Sequence, residues 1–347
     1  MSKANSNSDN GKSANGKSDN GKSERRPNFM TRRGLLGASA AVGAGVAATA
    51  VGTASAGPSA QSSADRSTPP GDLRLRWLGN NGWEIRIGAG DSAATVLIDP
   101  WLTRFWTGTY TEPGAAPETP IEVDTAVIDG YGLRADQILV THGHYDHMTD
   151  VPHLAKTTGA TVFGTESHVN TMRAMGAPER QMSVVAGGER LQYDGYSVQV
   201  VRSLHSMGGE HPRVAFAGTR PGQVPKAPET IADLVEGGSL SYLISVGGFN
   251  IVNFGSSNFS EHDLEGIRAD LVMIQPGGAN VPGYVPRLLD LLGHPSYVVP
   301  THWDDFDEPL DKPAVDWGGL DALRDAVRKA SPKSRFVKLD HLETLSL

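Results

Sequence analysis

The chain has 347 residues, 38% of them apolar, 41 glycines and a formal net charge of −8. That is long enough for one large domain or two small ones with a real core, and it excludes a wholly disordered chain. With no cysteine, neither a disulfide framework nor a thiolate nucleophile or metal ligand is available.

The first 70 residues differ from the rest. "NSDNGKSANGKSDNGKSERR" repeats Asn-Gly-Lys-Ser and carries almost no apolar side chains, so nothing there offsets the entropy of ordering the backbone. Arg32 and Arg33 then precede an Ala/Gly/Val run and the small-residue triplet Ala54-Ser55-Ala56. This order resembles a twin-arginine (Tat) export signal, which implies the Tat export machinery as a partner, cleavage after Ala56 and a secreted or extracytoplasmic location. The run falls short of the roughly 20 strongly apolar residues that a stable span needs, so no membrane span is expected in the mature form. Loss of residues 1–56 removes 8 of the 31 basic and 3 of the 39 acidic residues, leaving 23 against 36, a net charge of −13. A surface so acidic repels phosphate backbones, which argues against nucleic acid and leaves a small molecule as the expected substrate. Residues 57–71 read as a Pro/Ser-rich linker, and 72–347 as one domain.

Periodic structure begins at Leu73. "LRLRW" and "WEIRI" alternate with period two around "GNNG" and predict a hairpin, and "ATVLIDP" predicts a buried strand ending at Asp99. Residues 101–132 read as irregular. "QILVTHGH" predicts a strand, "DVPHLAKTT" a helix, "ATVFG" a strand, "SHVNTMRAMG" a helix closed by Gly176, and "GYSVQVVRSLHS" a strand running out at His205. After an irregular insert over 207–236, "SYLISVGGFNIVNFGSS" predicts a hairpin turning on Gly247-Gly248. The scheme then repeats with the strand "ADLVMIQPGG", a helix near 286–292, the strand "SYVVPTHWD", a helix near 319–329 and the strand "RFVKLD". Hairpins first and strand-helix alternation afterwards, twice over, predict two mixed sheets packed face to face with helices outside.

The densest chemistry lies in "THGHYDHMTD". Residues two apart on an extended segment point the same way, so His142 and His144 can grip one ion while Gly143 permits a tight backbone. Asp146 and His147 then face a neighbouring position. His142, His205 and His302 each fall just past an apolar strand, in "ILVTH", "VVRSLH" and "YVVPTH", where a rigid scaffold presents converging ligands. Imidazoles with a carboxylate suit Zn²⁺, one ion or two, with Mn²⁺ or Fe²⁺ not excluded by ligand type.

Here the sequence resembles the metallo-β-lactamase superfamily, whose signature is His-x-His-x-Asp-His. "LGNNGWEI", "TVLIDPWL", "ILVTHGHYDH", "SLHS", "FGSSNF" and "VVPTHWD" occur in the family's order, and the Asp-Pro-Trp-Leu opening is similar to the branch of ascorbate-6-phosphate lactonase-like and N-acylphosphatidylethanolamine phospholipase D-like hydrolases. The resemblance implies an α/β (α+β) fold, the αββα sandwich. It also implies a first metal on His142, His144 and His205 and a second on Asp146, His147 and His302. The implied activity is that of a metal-dependent hydrolase, in which metal-bound hydroxide attacks an ester, lactone or phosphodiester. Asp146 and Asp99 are its expected catalytic carboxylates, Asp99 acting by orienting a ligand or water.

One position departs from the pattern. Where the family carries an aspartate that bridges two metals, this chain has Ser256, with Asn258 two residues on as a weaker or indirect substitute. Two metals without a bridging carboxylate, one tight and one weak metal, or a catalytically dead site are the outcomes this allows, and the last would make the chain a non-catalytic extracellular binding protein. His153, His168, His211, His262, His294 and His341 match no motif position and read as surface or core residues. Asp304 and Asp305 read as a solvated turn, with support of a neighbouring metal ligand as the alternative. Tyr145 packs or lines the site mouth, and Trp101, Phe105, Trp106 and Tyr110 are candidates for a pocket wall.

Overall fold

The computed structural model describes residues 68–278 and 280–347. The predicted leader, export signal and most of the linker lie outside the described residues. Thirteen strands follow one another in two sets. The first comprises β1 (Leu73–Trp77), β2 (Trp83–Ile87), β3 (Ala94–Ile98), β4 (Gln137–Leu139), β5 (Thr161–Gly164) and β6 (Met182–Val184). The second comprises β7 (Arg190–Gln192), β8 (Tyr196–Arg202), β9 (Leu240–Val246), β10 (Phe249–Phe254), β11 (Leu271–Ile274), β12 (Tyr297–Pro300) and β13 (Arg335–Phe336). A last strand, β14 (Thr344–Ser346), returns to pair with β1, so both sheets have seven strands, in the orders β14-β1-β2-β3-β4-β5-β6 and β7-β8-β9-β10-β11-β12-β13. In each, the first three pairings are antiparallel and the last three parallel.

The side-chain pattern accounts for the layering. Leu73, Leu75 and Trp77 of β1 point into the core between the sheets while Arg74 and Arg76 point to the opposite face. β3 is buried on both faces: Val96 and Ile98 join the core between the sheets, and Leu97 packs outward. The inter-sheet core continues through Val198, Val200, Tyr242, Ile244, Ile251, Met273 and Val299, with Trp77 stacked on Trp303 at 5.0 Å.

Two further apolar layers seat the helices. α1 (Thr125–Gly130) is short, α2 (Tyr145–Met148) is a single turn, and α3 (Val151–Thr158) and α4 (Glu166–Ala174) lie on the outer face of the first sheet through Leu154, Ala155, Val169 and Met172. α5 (Glu261–Leu264), α6 (Tyr284–Leu291) and α7 (Leu320–Ala330) cover the second through Leu264, Leu288, Leu289, Leu323 and Val327. This is the four-layer αββα arrangement.

The hairpin register puts Val246 opposite Phe249, leaving Gly247-Gly248 as the two-residue turn at φ 55° and 89°. Residues 101–132 are irregular except for α1, which Asp124 caps through the N–H groups of Ala126 and Val127. The predicted C-terminal strand shrinks to Arg335–Phe336. β6, β7, β14 and α5 carry too few residues for a hydrophobic period to declare itself. No helix among the described residues is long and apolar enough to cross a membrane.

Candidate metal centre

The motif occupies the loop after β4. Backbone hydrogen bonding of the ladder stops at Val140, and Thr141 N–H turns to Asp99 Oδ1 at 2.7 Å. Gly143 N–H donates to Glu236 O at 2.8 Å, and a Cβ on Gly143 would lie 2.4 Å from the carbonyl of Val235. The glycine therefore serves a close approach of the 235–236 backbone rather than a tight turn, since its φ is not in the left-handed region. His144 occupies the N-cap of α2 in extended conformation, which places Asp146 and His147 on the first turn.

Two groups of three potential ligands result. In His142, His144 and His205, and again in Asp146, His147 and His302, one side-chain donor atom from each residue lies within 4.8 Å of the other two. His142 Nε2 faces His205 Nε2 at 3.2 Å, while Asp146 Oδ2 lies 3.1 Å from His302 Nε2 and 3.2 Å from His147 Nε2. His142, His144, Asp146 and His147 are buried, and His205 and His302 partly so.

On three of the histidines the ring nitrogen that does not converge is hydrogen-bonded. His205 Nδ1 donates to Ser206 O at 2.8 Å, His144 Nε2 to Ala215 O at 2.9 Å, and His147 Nδ1 to Asp99 Oδ2 at 2.7 Å. Carbonyl acceptors fix the proton on those atoms of His144 and His205, so the other nitrogen of each of these neutral rings presents a lone pair, whereas His147 lies between two carboxylates, Asp99 at Nδ1 and Asp146 at Nε2. Thr141 Oγ1 donates to Asp99, and lies 3.2 Å from His142 Nδ1, from which it can accept. His142 Nε2 and His205 Nε2 then meet lone pair to lone pair, and the buried His147 Nε2 lies 3.2 Å from Asp146 Oδ2 without the alignment of a hydrogen bond. Such an arrangement is repulsive and unsatisfied unless a cation sits among the atoms. The residues present therefore fit a metal of the kind imidazole and carboxylate ligands take.

Electrostatics agree with neutral imidazoles on one side and charge on the other. Burial, reinforced by neighbouring imidazoles, lowers His144 to about 3 and His142 well below its ordinary range, and burial lowers His205. Burial would lower His147 as well, but the carboxylates of Asp146 and Asp99 outweigh it and raise this histidine to about 10. Burial opposes ionisation of Asp146, yet His147 and His302 hold it well below the usual carboxylate range.

Asp99 stands behind the second group, fully buried, receiving Thr141 N–H, Thr141 Oγ1, Asn81 Nδ2 at 2.8 Å and His147 Nδ1. It holds the His147 ring and does not reach the cavity. Asp99 (φ 39°), Asn80 (φ 48°), Arg104 (φ 43°) and His302 (φ 52°) all adopt left-handed backbone around this site, a local concentration of strain that the surrounding packing must impose.

Sequence reasoning missed the support beneath it. Asp304, read as a solvated turn, is fully buried: it receives Arg104 Nη2 at 2.6 Å and Asn80 N–H at 2.9 Å, and lies 2.9 Å from His341 Nε2. Burial opposes its ionisation, but Arg104 and His341 prevail and lower it to about 2. Asn80 in turn donates its side-chain amide to Asp146, so His341, read as unremarkable, belongs to a chain of contacts ending on a candidate ligand. The motif gave no signal for this, because Asn80 and Arg104 lie 224 and 200 residues from Asp304 in sequence. His168 is a structural residue, as expected: it caps α4 with Thr165 and donates to Glu236 O at 3.1 Å.

Ser256 lies in the cavity wall with both groups, and its Oγ accepts Ser206 N–H at 2.9 Å. Asn258 spends its amide on the loop instead, donating to His205 O at 3.0 Å and accepting Phe259 N–H at 2.9 Å, and so holds a candidate ligand's backbone. The cavity, about 320 Å³, is walled by Tyr110, Tyr145, Phe216, Phe306 and Trp317. Of the aromatic run, only Tyr110 reaches it. Trp101 and Phe105 are core, and Trp106 is 68% exposed on the surface.

A family profile described as the beta-lactamase superfamily domain matches residues 74–302. A metal-dependent hydrolase from Myxococcus xanthus is 26% identical over 299 residues, covering 85% of this chain and 94% of its own length. Another from Pyrobaculum islandicum is 28% identical over 159 residues, and the match spans 46% of this chain and 62% of that relative. Among solved structures, the diiron β-hydroxylase CmlA from Streptomyces venezuelae aligns with a TM-score of 0.50 at 19% identity, covering 81% of this chain and 55% of that one, a likeness of fold. With the profile match, the paired seven-stranded sheets and the outer helices, the chain belongs to the metallo-β-lactamase superfamily.

Proposed function

We propose that this chain is an exported metal-dependent hydrolase acting on a small ester, lactone or phosphodiester. The observation that carries the reading is the convergence of two ligand triads in which the outward nitrogens of His144, His147 and His205 are already hydrogen-bonded. His142, His144 and His205 would hold one divalent cation, zinc by ligand type, and Asp146, His147 and His302 a second. Bound there, such cations would supply Lewis acidity towards water and towards an acyl or phosphoryl oxygen.

The protein's own residues do the rest. Asp99 fixes the His147 ring through Nδ1 with its Nε2 towards Asp146, and the carbonyls of Ala215 and Ser206 fix the His144 and His205 rings. Asp146 offers the cavity its single lining carboxylate, held by Asn80 and through it by the Asp304–Arg104 pair. The aromatic wall excludes water from one side of the substrate and suits an organic, partly apolar molecule. That preference agrees with the lactonase-like and phospholipase D-like branch that the Asp-Pro-Trp-Leu opening resembles.

Purified protein should contain close to two equivalents of zinc or a similar metal. A chelator should abolish hydrolysis of generic esters or bis-phosphodiesters, and added zinc should restore it. Metal-free protein with undiminished turnover contradicts the reading. Export rests on Arg32 and Arg33: changing both to lysine should leave the chain unprocessed inside the cell, and unchanged processing would refute the Tat route.

A second reading, a non-catalytic binding protein with one metal, is favoured by one observation: Ser256 brings no charge to the cavity. Ser256→Asp separates the two. If the wild type is inert on a broad ester panel and the aspartate confers turnover, the binding reading stands. If the wild type is active and the change does little, it falls.

A further inference from the structure

The two sides of the cavity differ in charge. Asp146, from the first sheet's loop, is the one acidic residue among those lining it. The loops after β10 and β11 contribute Ser256, Ser257 and Gln275 in its place.

All three have hydrogen-bonding capacity that the protein leaves unused. Ser256 Oγ accepts Ser206 N–H at 2.9 Å and Ser257 Oγ accepts Gly278 N–H at 3.1 Å. A hydroxyl that accepts still carries its own hydrogen, and neither serine donates it to a neighbour among the described residues. Gln275 is 6% exposed, and its Nε2 is buried without a hydrogen-bond partner. Leaving a buried amide unpaired costs free energy that an acceptor recovers. Gln275 is part of the cavity wall, and a turn of its amide about Cγ–Cδ would carry the buried Nε2 round to an acceptor brought by a ligand.

Charge balance sets the chemistry of that acceptor. On the hydrolase reading, on which this inference rests, two divalent cations bring four positive charges against Asp146 and the Asp99 carboxylate behind it. Where the family has a bridging aspartate, this wall has neutral donors. The geometry points to Gln275, with Ser256 and Ser257, as a positioning set for an oxyanionic group of the substrate, a carboxylate or a phosphate, which supplies the negative charge this wall lacks.

The test is calorimetric titration of the metal-loaded protein with inorganic phosphate and, separately, with acetate. Wild type, Gln275→Leu and Gln275→Glu are compared, with metal content and Tm measured on the same samples. Wild type should bind at least one probe, and the probe bound identifies the group as phosphate or carboxylate. Gln275→Leu should weaken that binding roughly tenfold or more, as loss of a hydrogen bond to a charged group does. Gln275→Glu, which sets a like charge against the anion, should weaken it further. Metal content should not change, and Gln275→Leu should not lower Tm, because it replaces an unpaired buried amide with an apolar group of similar size. Wild type that binds neither probe, variants that bind as tightly as wild type, or a Gln275→Leu protein that loses binding only together with stability would each overturn the assignment. Wild type that takes up no metal contradicts the hydrolase reading itself. Full metal with anion binding indifferent to Gln275 defeats this inference alone.

Discussion

The two sheets share one strand scheme and differ in what their strand ends carry. β3 and β4 of the first sheet lead into Asp99 and the loop from His142 to His147, which between them hold both carboxylates of the centre. The corresponding strands of the second, β10 and β11, lead into Ser256, Ser257 and Gln275, all neutral. The second sheet gives two histidines, His205 after β8 and His302 after β12. A repeated backbone scaffold thus carries unrepeated chemistry: one half supplies charge and most ligands, and the other closes the coordination and faces the substrate. Strand ends suit this division because ladder hydrogen bonding stops there and frees the backbone for unusual conformations, as at Asp99 and His302.

The largest break in that comparison comes from His144→Ala in the charged half. It deletes a lone pair fixed by Ala215 and should cost metal binding and turnover together, by more than the roughly 10- to 100-fold typical of losing a supporting partner. Elemental analysis beside ester hydrolysis checks it, and retained metal with full activity would remove His144 from the ligand set.

His168 tests how the charged half is latched to the insert before β9. Its burial lowers it to about 4 in the fold, against about 6.5 for a free histidine. The folded form binds the proton less well, so the stability involved is fully present above about pH 6.5 and is lost as pH falls towards 4. Between pH 7 and 4 wild type should lose on the order of 3 kcal/mol more stability than His168→Gln, which has no proton to take up. Denaturant melts at the two pH values measure it, and parallel losses would show that His168 is not the titrating latch.

Asp99→Asn is the subtler disturbance. It keeps the shape but weakens the hold on His147 Nδ1, and metal affinity should fall roughly 10- to 100-fold with the fold intact. Competition with a chromogenic chelator reads it, and an unchanged affinity would leave Asp99 a purely structural residue.

What was legible in the sequence follows from how local each signal is. The alternation of Leu73, Leu75 and Trp77, the buried run at Val96 to Ile98 and the Gly247-Gly248 turn are properties of short windows, and the two mixed sheets could be read from them. Four candidate ligands in six residues are equally local. His205 and His302 were legible only through their strand-end positions and the family resemblance. The Asp304–Arg104–His341 support was not, because a carboxylate in "THWDDF" reads as solvated until its distant partners are known. The unpaired amide of Gln275 is likewise a fact of tertiary burial, invisible in "MIQPGG".

The central claim is that the two triads are metal sites. Anomalous diffraction across the zinc edge, from crystals of protein purified without added chelator, tests it most directly. The account predicts two peaks, one enclosed by His142, His144 and His205 and the other by Asp146, His147 and His302. No peak at either triad, in protein that is nonetheless active, would contradict it.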